Sequence, residues 1–393
     1  MEFPFHQDVI RQLQADGLFR SLRRLEPDPH GHSGRVMIEG RSVILLASNN
    51  YLGLADHPRI KEAAITAIRQ YGFGSGASRL ISGNGPSHEA LEKRIAQFKQ
   101  TDAALVFSTG YMANLGILPC LIPSEGLVIA DRLCHASLID GCRMSGGRFR
   151  VYEHGDLNQL ERLLVKRPVN QPTLIVTDGV FSMDGDIAPL SRLVELAERH
   201  GAVVFVDDAH ATGVLGKEGR GTLEHFGLKP GSAIQMGTLG KALGCFGAYV
   251  AGSRVLIDFL INKAKTFIYT TALPPSVTAA ALAAFDVLQE EPQLRECLWR
   301  NRNHYAEGLK SLGFDILNSE TPIIPIMIGD DRLATIVSQR LLEAGIFAPA
   351  IRPPTVPKGT SRIRTTIMAS HTREDIDHVL DSLDQIARSL RIR

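Results

Sequence analysis

The sequence predicts an α/β protein. A large domain holds a mainly parallel seven-stranded sheet flanked by helices, with a smaller α+β domain C-terminal to it and a short N-terminal segment before it. Two observations carry this reading. Seven short apolar runs recur between residues 103 and 251, most of them separated by helix-length segments, and that alternation builds a parallel sheet covered on both faces. Runs such as LIVT (174–177) and VVFV (203–206) also lack polar alternation, as strands buried on both sides do.

The elements follow in order. Residues 5–25 read as an amphipathic helix in which Ile10, Leu13 and Gly17 share a face, followed by Arg20, Arg23 and Arg24. Residues 41–47 (RSVILLA) read as a strand, and 58–71 as a helix with Ile60, Ala64, Ile65 and Ile68 at helical spacing. A glycine-dense loop fills 72–85. A helix over 87–100 follows, with Leu91, Ile95 and Phe98 on one face and Glu89 at its positive end. The seven strand-like runs are 103–107, 127–130, 149–152, 173–177, 203–206, 233–236 and 248–251, with helices at 156–166 and 190–200. Pro274 and Pro275 mark a break. Beyond it a long helix is expected near 276–310, then strand 323–328, helix 332–344, strand 362–368 and helix 373–390.

Composition narrows the function. The 393 residues carry 43 Lys+Arg against 42 Asp+Glu, which removes the basic footprint of a dedicated nucleic-acid binder. Five dispersed cysteines, Cys120, Cys134, Cys142, Cys245 and Cys297, form no C-x-x-C pair, so neither a zinc ribbon nor a disulfide framework is expected. They suit a reducing cytosol. The first residues have no secretory apolar core, and no run reaches the ~18 apolar residues of a membrane span, so a cytoplasmic protein is expected.

In an open parallel sheet, ligands bind at the carboxyl ends of the strands, so the residues after each strand are read first. After 103–107 comes Ser108-Thr109-Gly110-Tyr111, opening a helix whose free N–H groups would suit a phosphate; a plain strand-to-helix turn explains these residues as well. After 203–206 comes Asp207-Asp208-Ala209-His210, fit for acid/base work, a metal or helix capping. After 233–236 comes Gly237-Thr238-Leu239-Gly240-Lys241. It is not a Walker loop, because Gln235 stands where that motif needs glycine. A lysine in a tight, partly desolvated turn suits Schiff-base chemistry, although a solvated surface lysine is the simpler reading of this stretch alone. The 72–85 loop follows a helix, not a strand, which rules out a dinucleotide fingerprint and favours close packing over a ligand or partner subunit.

Taken together, Thr238-x-x-Lys241, Asp207-x-x-His210, Ser108-Thr109-Gly110-Tyr111, His135 and Thr270-Thr271-Ala272-Leu273-Pro274-Pro275 resemble the fold-type I pyridoxal-phosphate enzymes, and among them the α-oxoamine synthases. The resemblance runs from Ser48-Asn49-Asn50-Tyr51 to Ile351-Arg352-Pro353-Pro354. These enzymes condense an amino acid with an acyl thioester and release carbon dioxide. Segments 181–190, 206–216 and 351–364 are most similar to the branch that uses L-alanine and a pimeloyl thioester, carried on coenzyme A or an acyl-carrier protein. Asn50 and Ala211 depart from that branch's usual acidic residue and glycine, and 107–117 (FSTGYMANLGI) also resembles bacterial serine palmitoyltransferases. Serine-palmitoyl and glycine-acetyl branches are thus the alternatives.

The resemblance implies pyridoxal 5'-phosphate as cofactor and no metal. It implies Lys241 as the lysine joined to the cofactor and the α-proton base, Asp207 as partner of the ring nitrogen, His210 and Ser182 near the phenolic oxygen, and His135 stacked on the ring. Gly110, Tyr111 and Thr238 would hold the phosphate. Thr270 and Thr271 would reach the phosphate of a neighbouring subunit, giving a homodimer with a shared active site. Arg352 would clamp the substrate carboxylate, with Asn49, Arg23 and Thr355 also at the substrate. Arg20, Arg23 and Arg24 would suit an acidic carrier protein or coenzyme A phosphates, though a solvated helix face is the simpler reading of Arg20 and Arg24. The family also implies the domain limits 1–45, 46–285 and 286–393.

Overall fold

The computed structural model describes residues 3–392. All seven runs become strands of one sheet: β1 (Ala103–Phe107), β2 (Leu127–Asp131), β3 (Arg148–Tyr152), β4 (Thr173–Asp178), β5 (Val203–Asp207), β6 (Ile234–Thr238) and β7 (Ala248–Gly252), in the order β1-β7-β6-β5-β4-β2-β3. Only β7 runs antiparallel to its neighbours. The central strands are buried along their length because helices cover both faces. Two core clusters flank the sheet: one holds Leu105, Val128, Val176 and Phe205, the other Ile129, Ile175, Val204 and Val206. Alternate residues of a strand thus feed opposite faces. Parallel register sets Asp178 beside Asp207, so the carboxyl ends of β4 and β5 carry two carboxylates side by side.

The N-terminal helix is shorter than the periodicity predicts. It spans Pro4–Ala15 and stops at Gly17, whose φ of 66° is a left-handed cap. The Leu18 N–H closes the cap on Leu13 O at 2.8 Å, so residues 18–25 run on as a loop carrying the arginines. The long helix near 276–310 is two helices, Pro275–Glu290 and Gln293–Ser311, because Pro292 cannot continue the first.

Two small sheets complete the fold. Strand Arg41–Leu45 pairs with Arg35–Ile38 and, in parallel, with Ile346–Phe347, so the N-terminal segment is built into the C-terminal part. Strands Ile323–Gly329, Ser361–Thr366 and Ala350–Ile351 form the other, against helices Asp331–Glu343 and Arg373–Leu390. Among the described residues no helix is long and apolar enough to cross a membrane.

Candidate active site

The carboxyl ends of β2, β4, β5 and β6 carry the site, and Arg364 of strand Ser361–Thr366 joins it, bonding Ser182 and Asn49 and acting on Lys241 through its charge. Lys241 stands in the turn after β6. Its amine has no hydrogen-bond or ion-pair partner among the described residues. Burial lowers its pKa to about 8, with Arg364 adding to the fall, while Asp207 and Asp178 pull the other way. A lysine in that range is a competent nucleophile and base near neutral pH.

Asp207, only 4% exposed, is fixed at both oxygens: Oδ1 accepts the Ala209 N–H at 2.9 Å and Oδ2 accepts Asn114 Nδ2 at 2.8 Å. Asn114 also donates to Ser137 Oγ at 2.9 Å, which ties β5 to the helices Gly110–Leu121 and Ala136–Met144. Asp178 is buried beside it. Burial, and then the charge of Asp207, hold its pKa well above the usual carboxylate range. Its Oδ2 accepts the backbone N–H of His135 at 2.8 Å, which seats His135 at the N-terminus of helix Ala136–Met144. Desolvation lowers the His135 pKa, against the pull of Asp207.

His210 is buried, and burial together with Lys241 and Arg364 keeps it neutral. Its Nδ1 lies 2.5 Å from the Tyr51 hydroxyl. Burial holds that phenol protonated, so Tyr51 donates and Nε2–H of His210 is left as a donor. Thr238 turns its hydroxyl to Gly247 O at 3.0 Å and accepts the Gly240 N–H at 3.2 Å, shaping the turn that carries Lys241.

The start of helix Gly110–Leu121 supplies an anion site. Thr109 Oγ1 caps Met112 N at 3.1 Å and Thr109 O takes the Ala113 N–H at 2.9 Å. The N–H groups of Gly110 and Tyr111 remain without an intrahelical acceptor. Gly110 lies close to β6, where an added Cβ would sit 3.2 Å from Met236 Cε. An unpaired amine of lowered pKa, a fixed carboxylate and a free helix N-terminus together suit a phosphorylated aldehyde with a basic ring nitrogen.

Arg364 was not singled out in the sequence. It projects from strand Ser361–Thr366, is 8% exposed, and donates from Nε to Ser182 O at 2.6 Å, from Nη1 to Thr366 Oγ1 at 3.1 Å and from Nη2 to Asn49 Oδ1 at 3.2 Å. Its charge is felt at Lys241, His210 and Tyr51. The signal was present: Arg362 and Arg364 stand two apart on one strand and so share a face. Arg352 instead donates to Gly17 O at 2.8 Å, Thr355 Oγ1 accepts from Arg20 at 3.2 Å, and Arg23 lies over the Phe347 ring at 5.8 Å. These residues form a second group, where the N-terminal loop meets loop 352–357.

Thr270 and Thr271 line a small cleft with Arg79, His88 and Ser108, and Thr271 bridges to Ser78 of the glycine-dense loop. Around them Phe73, Ile81 and Tyr269 leave 75%, 81% and 81% of their surface uncovered.

The class I and II aminotransferase family matches residues 41–383. The 8-amino-7-oxononanoate synthase of Geobacter sulfurreducens is 51% identical, with 98% of each chain covered. Bacillus subtilis 8-amino-7-oxononanoate synthase 1 is 47% identical over 100% of this chain and 99% of that one. Among solved structures, a serine palmitoyltransferase lysine-to-alanine variant from S. paucimobilis with a bound PLP–myriocin aldimine superimposes with TM-score 0.93 at 33% identity, covering 100% and 98% of the two chains. The 8-amino-7-oxononanoate synthase of Francisella tularensis gives TM-score 0.78 at 30% identity, covering 89% and 99%.

Proposed function

The chain belongs to the class I and II aminotransferase family, and we propose that within it this protein joins L-alanine to a pimeloyl thioester, releasing carbon dioxide and the thiol carrier and forming 8-amino-7-oxononanoate for biotin synthesis. One observation carries the choice of branch: close to half of all positions are identical, end to end, to relatives of that name from several bacteria. The serine palmitoyltransferase likeness is equally complete in fold but stops at 33% identity, and both branches share that fold.

The residues fit pyridoxal 5'-phosphate, which supplies, when bound, the electron sink that eases loss of a proton and of carbon dioxide from the amino-acid Cα. Lys241 Nζ would take and return the Cα proton. Asp207, oriented by Asn114, would keep a proton on the ring nitrogen. Gly110 and Tyr111 N–H groups with Thr238 would hold the phosphate, His135 would lie on the ring, and His210 and Ser182 would serve its phenolic oxygen. Arg364, steadied by Asn49 and Ser182, offers a guanidinium fork to the amino-acid carboxylate, a role a lysine's single ammonium does not reproduce. Arg352, Thr355 and Arg23 line the approach of the acyl thioester. Thr270 and Thr271, amid uncovered Phe73, Ile81 and Tyr269, complete the site of a second subunit in a homodimer.

A panel of alanine, glycine and serine against pimeloyl, acetyl and palmitoyl thioesters, scored by carbon dioxide release, tests the branch. Alanine with the pimeloyl donor is expected to dominate, and preference for serine with the palmitoyl donor overturns it. A Lys241→Ala protein should bind the cofactor yet yield no borohydride-trapped adduct; full-stoichiometry trapping in that variant would sink the lysine assignment.

A further inference from the structure

Loop 181–186, which carries Ser182, is held from two sides. On the C-terminal side Arg364 Nε donates to Ser182 O at 2.6 Å, and Arg362 is ion-paired with Asp184. Thr321 Oγ1 donates to Gly185 O at 2.9 Å. On the sheet side the tie is His154. Its Nδ1 lies 3.0 Å from Asp131 Oδ1 at the end of β2, and its Nε2 lies 2.9 Å from Asp186 Oδ2. The ring meets Phe181 edge-on, with centroids 4.4 Å apart.

The two carboxylates depend on His154 unequally. Asp131 also accepts the N–H groups of Leu133 at 2.8 Å and Gly155 at 3.1 Å, so it stays satisfied without the histidine. Asp186 does not. Its Oδ1 is buried without a partner, and among the described residues only His154 bonds its carboxylate. Burial works against charge on His154, but hydrogen bonds and charges from both carboxylates outweigh it and raise its pKa to about 10. The imidazole is therefore a doubly donating cation across the physiological range, the one state that can bridge two carboxylates.

We propose that His154 is a positioning residue: by fastening Asp186 to the end of β2 it sets loop 181–186, and through the Ser182 carbonyl it sets the guanidinium of Arg364. The inference rests on the reading of Arg364 as the carboxylate anchor. Removing His154 strands a partly buried carboxylate, which the loop relieves by moving outward, taking the Ser182 carbonyl away from Arg364. The consequence falls on amino-acid binding rather than on cofactor capture.

Two variants test it. Asp186→Asn keeps His154 seated on Asp131 and removes only the charge that ties the loop, whereas His154→Phe removes both bonds and keeps the contact with Phe181. In each, amino-acid KM is expected to rise about tenfold with kcat reduced less, cofactor loading unchanged, and hydrogen exchange faster at 181–186 with and without cofactor. Unchanged KM and unchanged exchange in folded Asp186→Asn overturn the proposal, as does a fall in kcat alone. If His154→Phe does not fold, Asp186→Asn decides. Should the parent protein not turn over alanine with the pimeloyl donor, the functional reading fails, while the exchange measurement still judges the latch.

Discussion

Lys99 and Asp208 form an ion pair with both side chains at 0% exposure, Nζ to Oδ2 at 3.0 Å. Lys99 ends the helix Pro86–Lys99, and Asp208 directly follows the site residue Asp207. Replacing Lys99 by Met keeps most of the stem's volume but leaves Asp208 with neutral donors alone, the Thr222 hydroxyl at 2.5 Å and the Thr222 N–H at 3.2–3.3 Å. The Arg220 carbonyl loses its donor as well. Breaking a buried pair from one side costs about 3–5 kcal/mol, because the remaining charge stays desolvated. Adding Asp208→Asn removes that charge, so the double variant should recover a substantial part of the loss. The assay is urea unfolding followed by the single tryptophan, Trp299, whose indole N–H bonds Val214 O at 3.1 Å in the segment that follows Asp208. A second probe such as circular dichroism should give the same midpoint, because a chain with four core clusters need not unfold in one step. A Lys99→Met protein within about 1 kcal/mol of the parent, or a double variant no better than the single one, would refute the reasoning: Asp208 would then carry no charge that needs Lys99.

Three further outcomes are expected. In cofactor-free protein, borohydride trapping of a simple aldehyde at Lys241 should rise with pH around a midpoint of about 8, since the amine reacts only when neutral. Asp207→Asn should move the midpoint lower by removing a charge that favours the ammonium, and a midpoint near the ordinary 10.5 contradicts the desolvated pocket. Arg364→Lys keeps the charge but loses the fork, so amino-acid KM should rise at least about tenfold, whereas Arg352→Lys should act on the acyl-donor KM; kinetics showing the reverse pattern exchange the two roles. Gly185→Ala places a Cβ 2.0 Å from Ile323 O at a φ of 76°, so the variant should lose more than about 2 kcal/mol and show faster exchange across 181–186; a neutral substitution means the loop is not held as described.

The parallel sheet was legible because strands buried on both faces have to be apolar throughout, and runs such as LIVT and VVFV announce it. The end of the first helix was not, because Ile10, Leu13 and Gly17 do share a face by periodicity, while what stops the helix is Gly17's left-handed backbone. The break at Pro292 was legible in principle, since an interior proline removes a helix donor, but the apolar pattern on either side concealed it. In the site, Lys241, Asp207 and His210 lie just after strands, where sequence position alone marks a rim. Arg364 enters from a separate small sheet more than 100 residues later, and only tertiary structure brings it to Ser182 and Asn49 and its charge to Lys241. The partnership of His154 with Asp186 is likewise a three-dimensional fact, joining residues that belong to different βα connections.

The pairing of Arg41–Leu45 with Ile346–Phe347 constrains the order in which the protein can be completed during synthesis. Strand Arg41–Leu45 is made early, yet its parallel partner leaves the ribosome about 300 residues later, some 15–60 s at 5–20 residues per second. Throughout that interval one edge of the N-terminal strands has no partner, while the large sheet between them can already assemble. The sheet that holds Arg41–Leu45 can therefore close only after the large sheet has been made. A chain stopped before residue 346 would display that open edge, a template for pairing with other strands, and such truncated chains should be the species that quality control has to remove.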